Sequence, residues 1–219
     1  MLALSTLAAC GETEAASPSP DLAKALAMVL APRPDVEAPP APAKDRLLVQ
    51  AAIERTHHEV AYESGYVRLE YPGGDVPEGT GVCTDVLIRA YRGIDIDLQK
   101  RVHEDMLAAF DKYPANWGLT KPDSNIDHRR VPNLQKFFTH HGETRPKTVD
   151  AADYQPGEVV TWNVGHNKKH VDHIGVVSNV FNDEQTRYKV VHNIGEGPKL
   201  QDVLFDWPIT GHYRYLPEN

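Results

Sequence analysis

A cysteine at the start of a predicted helix is the residue of this chain best suited to chemistry. Cys83 follows a glycine-rich segment, 71–81, and precedes an apolar run that no Gly or Pro interrupts before Gly93. A thiol in the first turn of a helix meets unpaired backbone N–H groups and the positive end of the helix dipole. Both favour the thiolate, so we interpret Cys83 as a nucleophile. The alternative from position alone is a buried core cysteine, because Cys packs as a small hydrophobic residue.

Two histidines downstream supply the other groups that a thiol nucleophile needs. A cysteine hydrolase requires a base beside the sulfur and a third polar group that fixes the tautomer of that base. His173 begins the apolar run 173–177, and His192 ends the run 190–192. Side chains on neighbouring antiparallel strands can meet across the ladder. The pattern therefore predicts a Cys–His–His arrangement, with the thiol on a helix and both imidazoles on a sheet.

The elements that must position these residues change in type along the chain. Helical periodicity predicts helices over 44–57, from Cys83 to the residue before Gly93, over 97–113 and over 131–141. After Asp150, short runs rich in Val and aromatic residues predict antiparallel strands at 158–162, 173–177, 189–193 and 212–215. Helices followed by strands indicate an α+β fold.

Composition limits the class of protein. The 219 residues carry a formal charge of -8, with 41% hydrophobic and 25% charged residues, as expected for a soluble domain with one sizeable core. The acidic balance and the lack of a Lys/Arg cluster argue against nucleic acid as a partner. No apolar run beyond the N-terminus is long enough to span a membrane.

The N-terminal segment resembles a bacterial lipoprotein signal, in which the peptide is cut before a cysteine that is then acylated. Apolar residues 1–9 precede Cys10. We expect 1–9 to be a signal remnant, 10–43 a low-complexity tether and Pro-rich linker, and 44–219 the folded domain. The resemblance implies a periplasmic cell-envelope protein held by its lipid alone, at the outer membrane. The alternative is a frayed apolar N-terminus with a chance cysteine.

If Cys10 is lipidated, Cys83 has no partner for a disulfide, because the chain holds two cysteines. An exported chain with one remaining thiol is a candidate for catalysis.

Several short motifs occur in the order found in a known family. They are Val82-Cys83-Thr84-Asp85, Pro156-Gly157-Glu158-Val159-Val160, His173-Ile174-Gly175-Val176-Val177 and Val191-His192. Their order resembles the NlpC/p60 branch of papain-like cysteine peptidases, bacterial enzymes that cut peptide bonds in cell-wall peptides. More closely, segments 56–58, 71–77, 81–85, 191–195 and 211–215 resemble the DUF1287 family, which is grouped with those peptidases. The resemblance covers about residues 45–216.

The resemblance implies a papain-like fold of the NlpC/p60 type, with N-terminal helices packed on a C-terminal antiparallel sheet. It implies that Cys83 is the nucleophile, His173 the base and His192 the orienting residue. The Tyr71 hydroxyl would bind the oxyanion beside the Cys83 N–H. The expected substrate is an amide bond in peptidoglycan stem peptides or another peptide, hydrolysed without a cofactor.

The chain departs from the family pattern around the nucleophile. The family's Asp before the cysteine is Val82 here, and its Ser-Gly after the cysteine is Thr84-Asp85. We therefore expect a different substrate pocket, in which Asp85 binds a substrate amine. Arg129 is a candidate for binding a substrate carboxylate, with a solvated loop charge as the alternative.

Two other functions remain open from the sequence. His166, His170 and His173 with Asp172 form a dense set among eleven histidines, which would suit a zinc-dependent hydrolase. The His57-His58 and His140-His141 pairs are expected to be surface or capping residues, and no His-Glu-x-x-His motif is present, so we predict no metal site. The other alternative is a non-catalytic cell-wall binding lipoprotein on the same fold.

Overall fold

The computed structural model describes residues 43–165 and 173–217. The signal remnant, Cys10 and the tether up to residue 42 lie outside the described residues, as do His166, His170 and Asp172 of the zinc hypothesis.

The described residues contain four α-helices, each where the apolar periodicity predicted one. They are α1 (Lys44–Glu54), α2 (Cys83–Arg92), α3 (Leu98–Ala109) and α4 (Val131–His141). Short 3-10 turns, Arg55–His57 and Phe110–Lys112, continue α1 and α3. Asp97 caps α3, since its carboxylate accepts a hydrogen bond from the Lys100 N–H at 3.2 Å. None of the helices in the described ranges is long and apolar enough to cross a membrane.

The second half of the described chain forms an antiparallel six-stranded sheet. Its strands are β3 (Glu143–Thr144), β4 (Val159–Trp162), β5 (His173–Phe181), β6 (Tyr188–His192), β7 (Lys199–Gln201) and β8 (Ile209–Arg214). They are arranged in the order β3-β8-β4-β5-β6-β7. A separate parallel bridge joins β1 (Ala61–Tyr62) to β2 (Thr80–Gly81). The predicted strands are confirmed, whereas the two- and three-residue strands are too short to show a period in the sequence.

The sheet is covered on both faces. On one face, Ile174, Val176 and Val191 join the core that the helices build. On the other face, Trp162 and Val177 pack with Leu204 and other residues of the segment after β7. The predicted α+β architecture, helices packed on a C-terminal antiparallel sheet, is therefore confirmed.

Helix α2 is the central helix of this arrangement. Eight of its ten residues are buried, which is the pattern of a helix enclosed on all sides. It packs against α1 and β5, and the Tyr91 hydroxyl donates to the Tyr215 carbonyl at 2.9 Å near the end of the described chain. The N-terminus of α2 thereby meets the beginning of β5.

Candidate active site

Cys83 occupies the first position of α2 and is 4% exposed. The backbone N–H groups of Ile174 and Thr84 lie close to its sulfur and lower the pKa of the thiol. Ile174 directly follows His173 on β5. The N-terminus of α2 and the start of β5 therefore meet at the thiol. Within the described residues no hydrogen bond joins the Cys83 sulfur to either imidazole, so the Cys–His–His arrangement stays a prediction.

The two predicted histidines are hydrogen-bonded to each other. His173 Nε2 lies 2.9 Å from His192 Nδ1, joining the start of β5 to the end of β6. Val176 pairs with Val191 in these strands, so Gly175 faces His192 across the ladder. A Cβ at Gly175 would come within 2.7 Å of Val190 Cγ1 and 3.2 Å of the His192 Cβ. Glycine at this position therefore leaves room for the His192 side chain.

A glutamine that the sequence analysis did not identify extends this chain of hydrogen bonds. His192 Nε2 lies 2.9 Å from Gln201 Oε1 on β7. An amide oxygen only accepts, so the proton of that bond is on His192 Nε2. His192 Nδ1 then accepts from His173 Nε2–H, which leaves His173 Nδ1 without a proton. Gln201 thus selects the His173 tautomer whose Nδ1 can take a proton from a thiol.

Aromatic rings surround both imidazoles. The ring centroid of His173 lies 5.7 Å from that of Trp162 and 5.6 Å from that of Trp207. The ring centroid of His192 lies 6.0 Å from that of Trp207. The indole of Trp162 is fixed by a hydrogen bond to the Leu204 carbonyl at 3.0 Å. Trp162 and Trp207 thus pack against the two imidazoles. Their apolar rings keep water from the pair.

This burial determines the charge state of the site. Desolvation lowers the pKa of His173 to about 3, with a further lowering from His192. Desolvation likewise raises the pKa of the Cys83 thiol to about 12, although the Ile174 N–H acts in the opposite direction. The expectation that the helix terminus alone yields a thiolate is therefore not supported. Both shifts favour a neutral thiol and a neutral imidazole in the resting site.

Asp85 and Arg129 form a buried ion pair beside the cysteine. Arg129 Nε and Nη2 donate to the two Asp85 carboxylate oxygens at 2.8 and 2.9 Å, and both side chains are at most 3% exposed. Asp85 also accepts from the Val82 N–H at 2.7 Å, which caps α2. Arg129 Nη1 donates to the Gly65 carbonyl at 3.2 Å.

This pairing changes the interpretation of both residues. Asp85 and Arg129 were expected to bind substrate groups, but their charges neutralise each other. The carboxylate at the third helical position and the distant arginine instead hold the helix start against the segment around Gly65.

Tyr71 lies apart from this chain of hydrogen bonds. It is 41% exposed, and its ring packs edge-on against His103 of α3 at 5.0 Å. No hydrogen bond joins it to Cys83 within the described residues, so its oxyanion role stays a prediction.

The segment between Tyr71 and Cys83 is held by arginines of α2. Arg89 donates to Asp75 and to the carbonyls of Val76, Pro77, Glu78 and Thr80. Arg92 donates to the same Asp75 carboxylate at 2.9 Å. The glycine-rich loop is thus fixed to the helix that carries the cysteine.

The sequence belongs to a known family. The model of the DUF1287 family, a domain of unknown function, matches residues 49–215. The chain therefore belongs to the DUF1287 family, as its motifs predicted. A relative from Escherichia coli, described as "Uncharacterized protein YijF", is 53% identical over 169 residues, covering 77% of this chain and 80% of the relative.

Solved structures with a similar arrangement include two proteins from Trichomonas vaginalis. NlpC1 is 16% identical with a TM-score of 0.46, over 84% of this chain and 47% of that chain. NlpC2 is 17% identical with a TM-score of 0.45, over 79% of this chain and 48% of that chain. The chain spans about half the length of these solved structures.

Proposed function

We propose that this protein is a cysteine hydrolase that cleaves an amide bond, with peptidoglycan stem peptides as its substrate class. The proposal is supported by the polar chain from His173 through His192 to Gln201, together with the approach of β5 to Cys83, whose sulfur lies close to the Ile174 N–H. The choice of substrate is supported by the order of the motifs around Cys83, His173 and His192, which resembles the NlpC/p60 peptidases.

The mechanism follows from the neutral resting pair. The substrate carbonyl carbon is attacked by the Cys83 sulfur while the thiol proton passes to His173 Nδ1. The tetrahedral oxyanion accepts a hydrogen bond from the Cys83 backbone N–H, and Tyr71 is the proposed second donor. His173 then gives its proton to the leaving amine, and a thioester remains on Cys83. Water, deprotonated by His173, hydrolyses the thioester to a carboxylic acid and restores the thiol.

The hydrogen-bonded chain stabilises the charged intermediate of this cycle. When His173 takes the thiol proton, His192 Nδ1 already accepts from the Nε2–H of the new imidazolium, and Gln201 Oε1 accepts from His192 Nε2–H. Removing the Tyr71 hydroxyl should cost about 3 kcal/mol of transition-state stabilisation if that hydroxyl binds the oxyanion.

A non-catalytic cell-wall binding protein on the same fold is the second candidate. It is favoured by the burial of Cys83 and by the raised pKa of its thiol, since an unactivated cysteine packs as a core residue. This candidate binds peptidoglycan without turnover.

Release of soluble fragments from purified peptidoglycan distinguishes the two. The parent chain should release fragments, and Cys83→Ala, His173→Ala and His192→Ala should lose nearly all of this activity. Tyr71→Phe tests the oxyanion role separately. Binding without release by the parent chain would favour the second candidate, and turnover that persists in Cys83→Ala would refute the nucleophile.

We also propose that the protein is anchored in the bacterial envelope by a lipid on Cys10, at the outer membrane. The proposal is supported by the apolar run that precedes Cys10. Metabolic labelling with a fatty-acid analogue should mark the parent chain and not Cys10→Ala. An unlabelled parent chain would end this part of the proposal.

A further inference from the structure

A second cluster of chemically active side chains lies between α3 and the last turn of α4. His141 Nε2 lies 2.7 Å from Asp105 Oδ1, and His140 Nδ1 lies 3.3 Å from Asp105 Oδ2. The two adjacent histidines are exposed, as expected of surface residues. The structure also brings both imidazoles onto the two oxygens of one carboxylate.

The spacing of these atoms suits a metal ion. One ligand atom from each of the three residues lies within 4.8 Å of the others. Zinc binds imidazole nitrogen and carboxylate oxygen at about 2.0–2.2 Å, so two ligands of a tetrahedral ion are about 3.3 Å apart. The separation between His140 Nδ1 and Asp105 Oδ2, 3.3 Å, equals that value. The separation between His141 Nε2 and Asp105 Oδ1, 2.7 Å, is that of a hydrogen bond, which an ion between the two atoms would replace and lengthen.

Neighbouring groups hold the three side chains in place. The Tyr113 hydroxyl donates to Asp105 Oδ2 at 2.5 Å and leaves Oδ1 directed at His141. The His141 ring lies against Phe137 at 4.8 Å, and the His140 ring meets Tyr113 edge-on at 6.0 Å. Hydrogen bonds from outside the ligand set orient metal ligands in the same way.

We propose that Asp105, His140 and His141 form a binding site for a divalent transition-metal ion of the zinc type. Two imidazole nitrogens favour zinc and its neighbours over calcium or magnesium, which prefer oxygen ligands. Three protein ligands leave one tetrahedral position for water. A cation there also faces the C-terminus of α4, where the helix dipole is negative. The bound ion would link α3 to the end of α4, just before the chain enters β3.

Calorimetric titration of the full chain with zinc chloride at pH 7.5 tests this site. All variants carry Cys83→Ala, so that binding does not depend on the candidate nucleophile. The Cys83→Ala chain should bind one equivalent of zinc. The same chain with His140→Ala/His141→Ala should bind none. The matched variant His57→Ala/His58→Ala, which alters the other pair of adjacent histidines, should retain it.

Two further variants separate ligand loss from misfolding. Asp105→Asn keeps the shape of the side chain and should also lose the zinc equivalent, while its circular dichroism stays that of the parent. Tyr113→Phe should weaken zinc binding about ten-fold, because it removes only an orienting hydroxyl. The site is refuted if the parent chain binds no zinc, or if His140→Ala/His141→Ala binds as much as the parent.

Discussion

At the scale of single residues, the ionisation of Cys83 and His173 depends on how desolvation by burial competes with hydrogen bonding and the helix dipole. The N-terminus of α2 favours a thiolate on Cys83, yet enclosure of the sulfur raises the pKa of its thiol to about 12. The same effect keeps His173 neutral, because the apolar rings of Trp162 and Trp207 replace water around it. Proton transfer from the thiol is therefore expected to accompany attack on the substrate.

The raised thiol pKa gives a testable pH dependence. Because only the thiolate is alkylated, the rate of iodoacetamide reaction with Cys83 should rise about ten-fold per pH unit between pH 7 and 10. The measurement uses Cys10→Ser, which leaves a single thiol, and follows the mass of the protein with time. A rate that is constant from pH 6 to pH 8 would contradict the neutral pair and indicate a preformed thiolate–imidazolium pair.

The tautomer argument makes Gln201 a positioning residue. Gln201→Ala should lower kcat on peptidoglycan fragments about ten-fold, equivalent to one hydrogen bond of about 1.4 kcal/mol. Gln201→Glu keeps an acceptor on His192 Nε2 and should restore most of kcat, with the pH profile moved because a carboxylate favours the protonated imidazole. Gln50→Ala, an exposed position of α1, serves as the control. Unchanged kcat and pH profile in Gln201→Ala would remove this role.

Sequence patterns indicated Cys83, His173 and His192 as candidates because Cys83 and His173 stand at the start of apolar runs and His192 at the end of one. Gln201 could not be found in this way, since β7 is three residues long and its pairing with β6 arises only in the folded sheet. Asp85 and Arg129 were predicted to bind charged groups of the substrate because both are charged residues that the sequence pattern places near the candidate site. Their mutual pairing joins residues that are 44 positions apart, which periodicity does not reveal.

At the scale of elements, the buried ion pair fixes the start of α2. Arg129 connects Asp85, which caps that helix, to the carbonyl of Gly65. The position of the thiol therefore depends on a segment far from it in sequence.

Removing one member of this buried ion pair should lower the stability of the fold. Arg129→Met leaves the Asp85 charge buried without a partner, so the free energy of unfolding should fall by about 3–5 kcal/mol in urea titrations. Lys100→Ala breaks the exposed pair with Glu104 and should change that free energy by less than about 1 kcal/mol. Equal losses in the two variants would show that the buried pair does not stabilise the fold.

The four helices and the central strands were predictable because each is long enough to show its period. The cap by Asp97 and the end of α4 at Gly142 also follow from local residue types. The order of the strands in the sheet was not predictable, because β8 lies between β3 and β4 although it comes last in the chain.

At the scale of the whole molecule, buried neutral histidines should limit stability in acid. Desolvation lowers the pKa of His128 to about 4, and those of His173 and His192 are lowered for the same main reason. The unfolded chain then binds more protons than the folded chain once the pH falls below the ordinary histidine value, about 6.5. Stability is therefore lost as the pH falls through this range.

A variant at His128 tests this pH dependence without changing the histidines of the candidate active site. Between pH 6 and 5, His128→Gln should reduce the slope of unfolding free energy against pH by about 1 kcal/mol per pH unit relative to the parent chain. His57→Gln, at an exposed position, is the control. An unchanged slope in His128→Gln would mean that this imidazole is protonated in the folded state as readily as in the unfolded chain.

The proposed activity is tested most directly by mass spectrometry of muropeptides incubated with the parent chain and with Cys83→Ala. The parent chain should convert them to pairs of products that together contain one added water, with a new amine and a new carboxylate at the cleaved amide. Cys83→Ala should leave the muropeptides intact. Identical products from both proteins, or none from the parent chain, would contradict the assignment of Cys83 as the nucleophile of a peptidoglycan hydrolase.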